Sequence, residues 1–169
     1  MAFPISHLGP LGIGLLWAVV CDLKSRRIPN LVSGFVFLGG LVACGVDGGV
    51  SVVLSGLAAF ALLAVAIYPA WRAGGIGGGD LKLAAATGIW VGLSHLLWFV
   101  LATAVAGGLV AGVCYLLARA PARAEVRANL MLAALHGDLP AVASHRKGHP
   151  SVPYAFAIAA GAGVALLAV

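Results

Sequence analysis

The chain has 169 residues and only five carboxylates: Asp22, Asp47, Asp80, Glu125 and Asp138. Asp47 belongs to a Gly-rich turn, a usual place for Asp, and Glu125 and Asp138 lie in a polar connection. The other two stand at the margins of apolar blocks, Asp22 ending the first and Asp80 beginning the fourth. A carboxylate at the edge of lipid is costly unless it faces water, a partner or a task. Two of them at one depth can do general acid–base work on a peptide bond. One, ionised, takes a proton from water; the other, protonated, donates to the carbonyl oxygen. Like charges a few ångströms apart do not both ionise cheaply, which enforces that split. The plainer alternatives are a solvated juxtamembrane charge for Asp22, beside Lys24 and Arg26, and a helix N-terminal charge favoured by the dipole for Asp80. No other hydrolytic apparatus competes, since there is no G-x-S-x-G elbow and no H-E-x-x-H. Cys21, Cys44 and Cys114 lie in apolar segments without a C-x-x-C pair, which reads as small buried hydrophobes rather than a metal or disulfide framework.

Asp80 is preceded by Gly74-Gly75-Ile76-Gly77-Gly78-Gly79, an almost side-chain-free backbone just before a helix. Such a stretch lets another chain come close and adopts conformations closed to other residues, so an extended substrate has room along Gly77, Gly78 and Gly79. Glycines before a helix also cradle phosphates, but the G-K-[ST] ending of a nucleotide loop is absent. Lys82 is placed to hold substrate or tune a carboxylate, or it snorkels to the interface as a topology charge.

The elements that must position these residues follow from composition. Hydrophobic residues make up 62% and charged residues 9% of the chain, where a soluble domain carries about a quarter charged. Six apolar blocks are legible: Phe3–Cys21, Leu31–Val46, Val50–Trp71, Leu81 to about Leu93, about Leu96–Ala118, and about Val152–Val169. A span needs about 20 residues, so the fourth is short and its end, near Gly92-Leu93-Ser94-His95, is the least sharply marked boundary; a re-entrant fourth segment is the alternative. The fold class expected is an all-α polytopic bundle of about six transmembrane helices forming one domain, residues 1–169. The ten Lys and Arg residues gather at the connections after blocks one, three and five. Positive charge stays on the cytoplasmic side, so both termini face outward and loops at about 22–30, 72–80 and 119–150 are cytoplasmic. The net charge of +5 is thereby a topology signal, and no basic face with interleaved aromatics suggests nucleic acid. No Lys or Arg precedes Lys24, unlike a secretory signal with its positive start.

Small residues allow close helix approach in lipid; Gly34 with Leu38, Gly107-Gly108 with Gly112, and Gly161 with Gly163 are candidate contacts. In the 119–150 loop, Val126, Leu130, Met131, Ala134 and Leu135 recur at helical spacing, which suits an amphipathic helix on anionic headgroups or docked beneath the bundle. His136, Asp138, His145 and His149 match no standard metal spacing. No metal and no cofactor is expected.

At these residues the chain resembles the prepilin peptidases, membrane aspartic peptidases with a G-x-G-D signature. Gly77-Gly78-Gly79-Asp80-Leu81-Lys82-Leu83 is similar to the family's G-G-G-D-x-K-L run, and Asp22-Leu23-Lys24-Ser25-Arg26-Arg27-Ile28-Pro29-Asn30 to its aspartate, basic stretch and I-P-N. Pro153-Tyr154 opening the last block is also similar. The resemblance implies Asp22 and Asp80 as the catalytic pair, a pilin or pseudopilin precursor as substrate, and cleavage at the cytoplasmic face of a bacterial inner membrane, just before the precursor's hydrophobic helix. Larger bifunctional relatives carry an insert with paired cysteines after the first span, linked to N-methylation. Here that connection is only Asp22–Asn30, so methyl transfer is not expected, and the short form looks like the peptidases of the Flp (tight-adherence) pilus systems. Pro29 and Asn30 read as a helix start and a capping or turn residue.

Two other classes of function fit less well. A small transporter or channel component would use Asp22 and Asp80 as a proton or cation site, but such charges belong near the midplane. A non-catalytic assembly factor would rest on small-residue packing alone.

Overall fold

The computed structural model describes residues 8–118, 120, 123, 124, 126, 127, 131 and 154–168. Its elements are α1 (Leu8–Ser25), α2 (Asn30–Arg72), α3 (Gly78–Leu117) and α4 (Tyr154–Leu167). Among the described residues all regular structure is helical, as the apolar blocks predict.

The 43 residues of α2 and the 40 of α3 would make straight rods of about 60 Å or more at 1.5 Å per residue, twice the thickness of a hydrocarbon layer. Neither is straight. Gly49 (φ 65°, ψ −166°) interrupts α2 and Gly92 (φ 65°, ψ 177°) interrupts α3, in a region of backbone space open essentially to glycine. The reversal at Gly49 is visible in the packing: Phe37 and Phe60, on either side of it, meet edge to face with ring centroids 5.2 Å apart. Among the described residues the two kinks divide the four helices into six segments. Blocks two and three are the halves of α2, and blocks four and five the halves of α3. The break expected across residues 92–95 falls at Gly92 itself. Block one differs at its inner end, where α1 runs on to Ser25, four residues past Cys21. Among the described residues, Gly48–Arg72 and Gly78–Leu117 are the two helical stretches that are long and apolar enough to cross a membrane on length and composition.

The first half of α3 is the centre of the bundle. Every residue from Leu83 to Val91 is buried, and a helix that is apolar all round belongs inside other elements. The fourth block is therefore a short helix walled by protein, with helical backbone through to Gly92. Trp90 donates its indole N–H to the Val36 carbonyl at 2.8 Å, and the Cys44 thiol lies 3.4 Å from the Ile89 carbonyl. Gly56 and Gly88 let the second half of α2 close on it: a Cβ at 56 would stand 2.7 Å from the Ile89 oxygen, and one at 88 would stand 3.2 Å from the backbone of Ala59 and Phe60. Of the glycines expected at contacts, Gly161 meets Thr103 and Gly107 meets Tyr154, while Gly34, Gly108, Gly112 and Gly163 face open space. Cys44 is buried as expected, whereas Cys21 and Cys114 are half-buried. Leu16, Val46, Val65, Leu97 and Leu117 are exposed at more than 60% each, an outer surface suited to lipid rather than water.

Candidate active site

The site forms where the end of α1 meets the beginnings of α3 and α4. Asp22 lies in the last turn of α1. Its backbone carbonyl accepts from the Arg26 N–H at 2.9 Å, and Arg26 takes a left-handed conformation (φ 53°). A non-glycine residue there costs about 1–2 kcal/mol, and the turn sends the chain across towards α2. Ile28, in that crossing, is buried and lies against the start of α3. A Cβ on Gly79 would stand 3.0 Å from Ile28 Cβ and 3.2 Å from the Ile28 carbonyl oxygen. Glycine at 79 thus lets the crossing that follows Asp22 lie on the turn that holds Asp80.

Gly77 is the N-cap of α3, with no side-chain cap of its own. Asp80, three residues on, supplies the reciprocal contact, its carboxylate accepting the Gly77 backbone N–H, which is half of a capping box. A Cβ on Gly77 would stand 2.7 Å from Asp80 Oδ2, so this glycine leaves the space the carboxylate occupies. Gly78 lies under the Trp71 indole, where a Cβ would stand 3.2 Å from the ring nitrogen. The close neighbours of Gly78 and Gly79 are thus parts of this same chain, which narrows any room for substrate along the run to the side of the exposed Gly77.

Asp22 is 7% exposed, and its Oδ2 accepts the backbone N–H of Ala155 at 3.2 Å. That N–H belongs to the first turn of α4, where unpaired N–H groups favour an anion. Asp80 is half-buried, and the Asp22 charge acts on it directly. The two carboxylates singled out in the sequence therefore share one site. Each is held by a backbone N–H, Asp22 by Ala155 and Asp80 by Gly77.

Lys82 is not with them. At 100° per residue it stands about 200° around α3 from Asp80, and its Nζ donates to Asn30 Oδ1 at 2.8 Å. Pro29 takes the N-cap position of α2 and no side chain caps that helix. Asn30 thus ties the start of α2 to the start of α3 instead of capping its own helix, which corrects the expected role. The spacing of Asn30 and Lys82 carried no signal for that tie, and none for the Ala155 N–H on Asp22. Among the described residues no group of three His, Cys, Asp or Glu could hold a metal ion. Glu125, Asp138, His136, His145 and His149, and most of the expected amphipathic helix, lie outside the described residues.

A family model described as the type IV leader peptidase family matches residues 11–112, more than half of the chain. The matched stretch holds both aspartates and the glycine run, but not α4. No curated protein and no solved structure matches. The chain belongs to the type IV leader peptidase family, membrane proteins with protease activity.

Proposed function

We propose that this protein is an aspartic endopeptidase that removes the leader of pilin or pseudopilin precursors at the cytoplasmic face of a bacterial inner membrane, with Asp22 and Asp80 as its catalytic pair. The observation that carries this reading is the meeting of two carboxylates from distant parts of the sequence at one end of the bundle, one of them buried. A water between them gives up a proton to the ionised carboxylate as its oxygen attacks the scissile carbonyl carbon. The protonated partner donates to the carbonyl oxygen, forming a tetrahedral diol. Collapse of the diol breaks the C–N bond: the proton taken from water passes to the leaving amine, and a diol hydroxyl returns its proton to the carboxylate that donated one, restoring the pair. The pair titrates as a unit, so roles belong to the pair rather than to either residue alone. Six spans with both termini outside are consistent with the two glycine kinks and with basic residues at alternate connections. The short Asp22–Asn30 crossing supports a peptidase without methyl transfer, of the Flp-pilus kind. Carboxylates at helix ends argue against an ion path, which wants its charges near mid-membrane.

The test is substitution of each aspartate by Asn. Asn at 22 still accepts the Ala155 N–H, and Asn at 80 still accepts from Gly77, so folding is preserved while acid–base capacity is lost. Each variant should lower precursor cleavage by about 10²–10⁴-fold, and the double variant should be little worse. Asp47→Asn and Asp138→Asn should cleave normally. Well-folded Asp22→Asn and Asp80→Asn proteins that cleave at the wild-type rate would end the proposal.

A further inference from the structure

On the far side of α3 from the two aspartates lies a cavity of about 270 Å³ between the halves of α2 and the first half of α3. Neither Asp22 nor Asp80 lines it, so it is distinct from the aspartate site. Phe37, Phe60 and Leu81 form much of its wall, and Asn30 and Lys82 lie at the helix starts. Three observations bear on its occupant. The Lys82 side chain donates to the neutral Asn30 amide rather than to a carboxylate, and that contact is exposed. Ser33, which also lines the cavity, has a buried hydroxyl without a hydrogen-bond partner among the described residues. The adjoining first turn of α2 contains no acidic residue and no side-chain cap, so its N–H groups favour an anion.

We infer that this cavity binds an anionic phospholipid of the bilayer, with part of an acyl chain against Phe37, Phe60 and Leu81 and the phosphate at Lys82 and the start of α2. The size suits part of an amphiphile: pockets that enclose a whole drug-sized molecule run about 300–1,000 Å³. Basic pockets between helices on the cytoplasmic side take anionic headgroups for the same electrostatic reason. The inference concerns a lipid site and stands whether or not the aspartates cleave a precursor.

The experiment uses the full chain, purified in detergent and stripped of lipid. It is offered phosphatidylglycerol or phosphatidylcholine of matched chain length, and native mass spectrometry reads retained lipid. Phosphatidylglycerol should be retained in preference. Lys82→Gln, which keeps a donor for Asn30 but loses the charge, should weaken phosphatidylglycerol retention about fivefold and leave phosphatidylcholine unchanged. Ala64→Leu, which fills the cavity from its α2 wall, should weaken both. Lys24→Gln removes a membrane-edge charge away from the cavity and should change neither. Glycerol phosphate at equal concentration should displace nothing. Equal retention of the two lipids, an ineffective Lys82→Gln, an ineffective Ala64→Leu that melts like wild type, or displacement by glycerol phosphate would each overturn the inference. So would an Ala64→Leu variant that loses binding of a precursor-derived apolar peptide while keeping its lipid, since the cavity would then belong to the substrate.

Discussion

Replacing Gly77 by Ala tests the geometry of the aspartate pair more finely than removing a carboxylate does. Gly77 has φ −68° and ψ 143°, a conformation that alanine adopts without strain, so the backbone has no reason to move. The added Cβ would stand 2.7 Å from Asp80 Oδ2, whereas ordinary contact begins at about 3.4 Å. The carboxylate must therefore retreat by about 0.7 Å or swing away from the Gly77 N–H. A misplacement of about 1 Å in a positioned reacting group costs on the order of 10²-fold in rate, so Gly77→Ala should lose between about tenfold and 10²-fold. The loss should appear in kcat rather than KM, because the change acts on the reacting group. Poorer N-capping by Ala costs under about 1 kcal/mol, so abundance and melting should hold. The assay is cleavage of a purified precursor in detergent, at saturating and limiting substrate. Gly75→Ala is the control, since its Cβ would meet only the Ala70 carbonyl oxygen at an ordinary 3.4 Å. If Gly77→Ala cleaved at the wild-type rate while Asp80→Asn was inactive, the Asp80 carboxylate would not work from the position it holds beside Gly77.

Activity should pass through a maximum with pH. Below the pair's lower apparent pKa both carboxyls are protonated and no base remains; above the upper one both are ionised and no acid remains. A flat kcat profile with chemistry shown to be rate-limiting would refute a shared proton. Gly79→Ala should destabilise the fold by about 1–3 kcal/mol, because its Cβ would press on the Ile28 backbone; thermal melting reads this. Trp90→Phe should cost about 0.5–1.5 kcal/mol, the net contribution of one hydrogen bond, because the Val36 carbonyl loses the indole donor and keeps its place in the α2 ladder, again measured by melting. Single cysteines at the exposed positions Val50 and Ser94, in a background without native cysteines, should react with an impermeant thiol reagent from outside. Ones at Ser25 and Ala73 should react only after the membrane is opened, and outside labelling of Ser25 would reverse the orientation.

Much of this protein is legible without coordinates. Long apolar blocks commit the chain to helices, because each helix satisfies its own backbone polar groups. The Gly-rich turn at residues 47–49 and the boundary near residues 92–95 separate the blocks, the second placed only to within a few residues; that each is a single glycine kink within a longer helix appears only in the structure. Asp22 and Asp80 stand out because lipid-edge carboxylates are rare and costly. What no local pattern could decide is which distant groups meet. Glycine is silent about its neighbour: the run at 77–79 reads as room for a substrate, yet Gly79 is filled by Ile28 and Gly78 by Trp71, and Gly77 gives its space to Asp80 itself. Lys82 reads as a companion of Asp80 two residues before it, but helical rotation turns it to the other side, onto Asn30. The Ala155 N–H that holds Asp22 comes from a helix start far along the chain, and any residue but proline would have supplied it. Such contacts involve backbone groups, or side chains brought together only by packing, so they leave no trace in composition or spacing and exist only once the helices have closed.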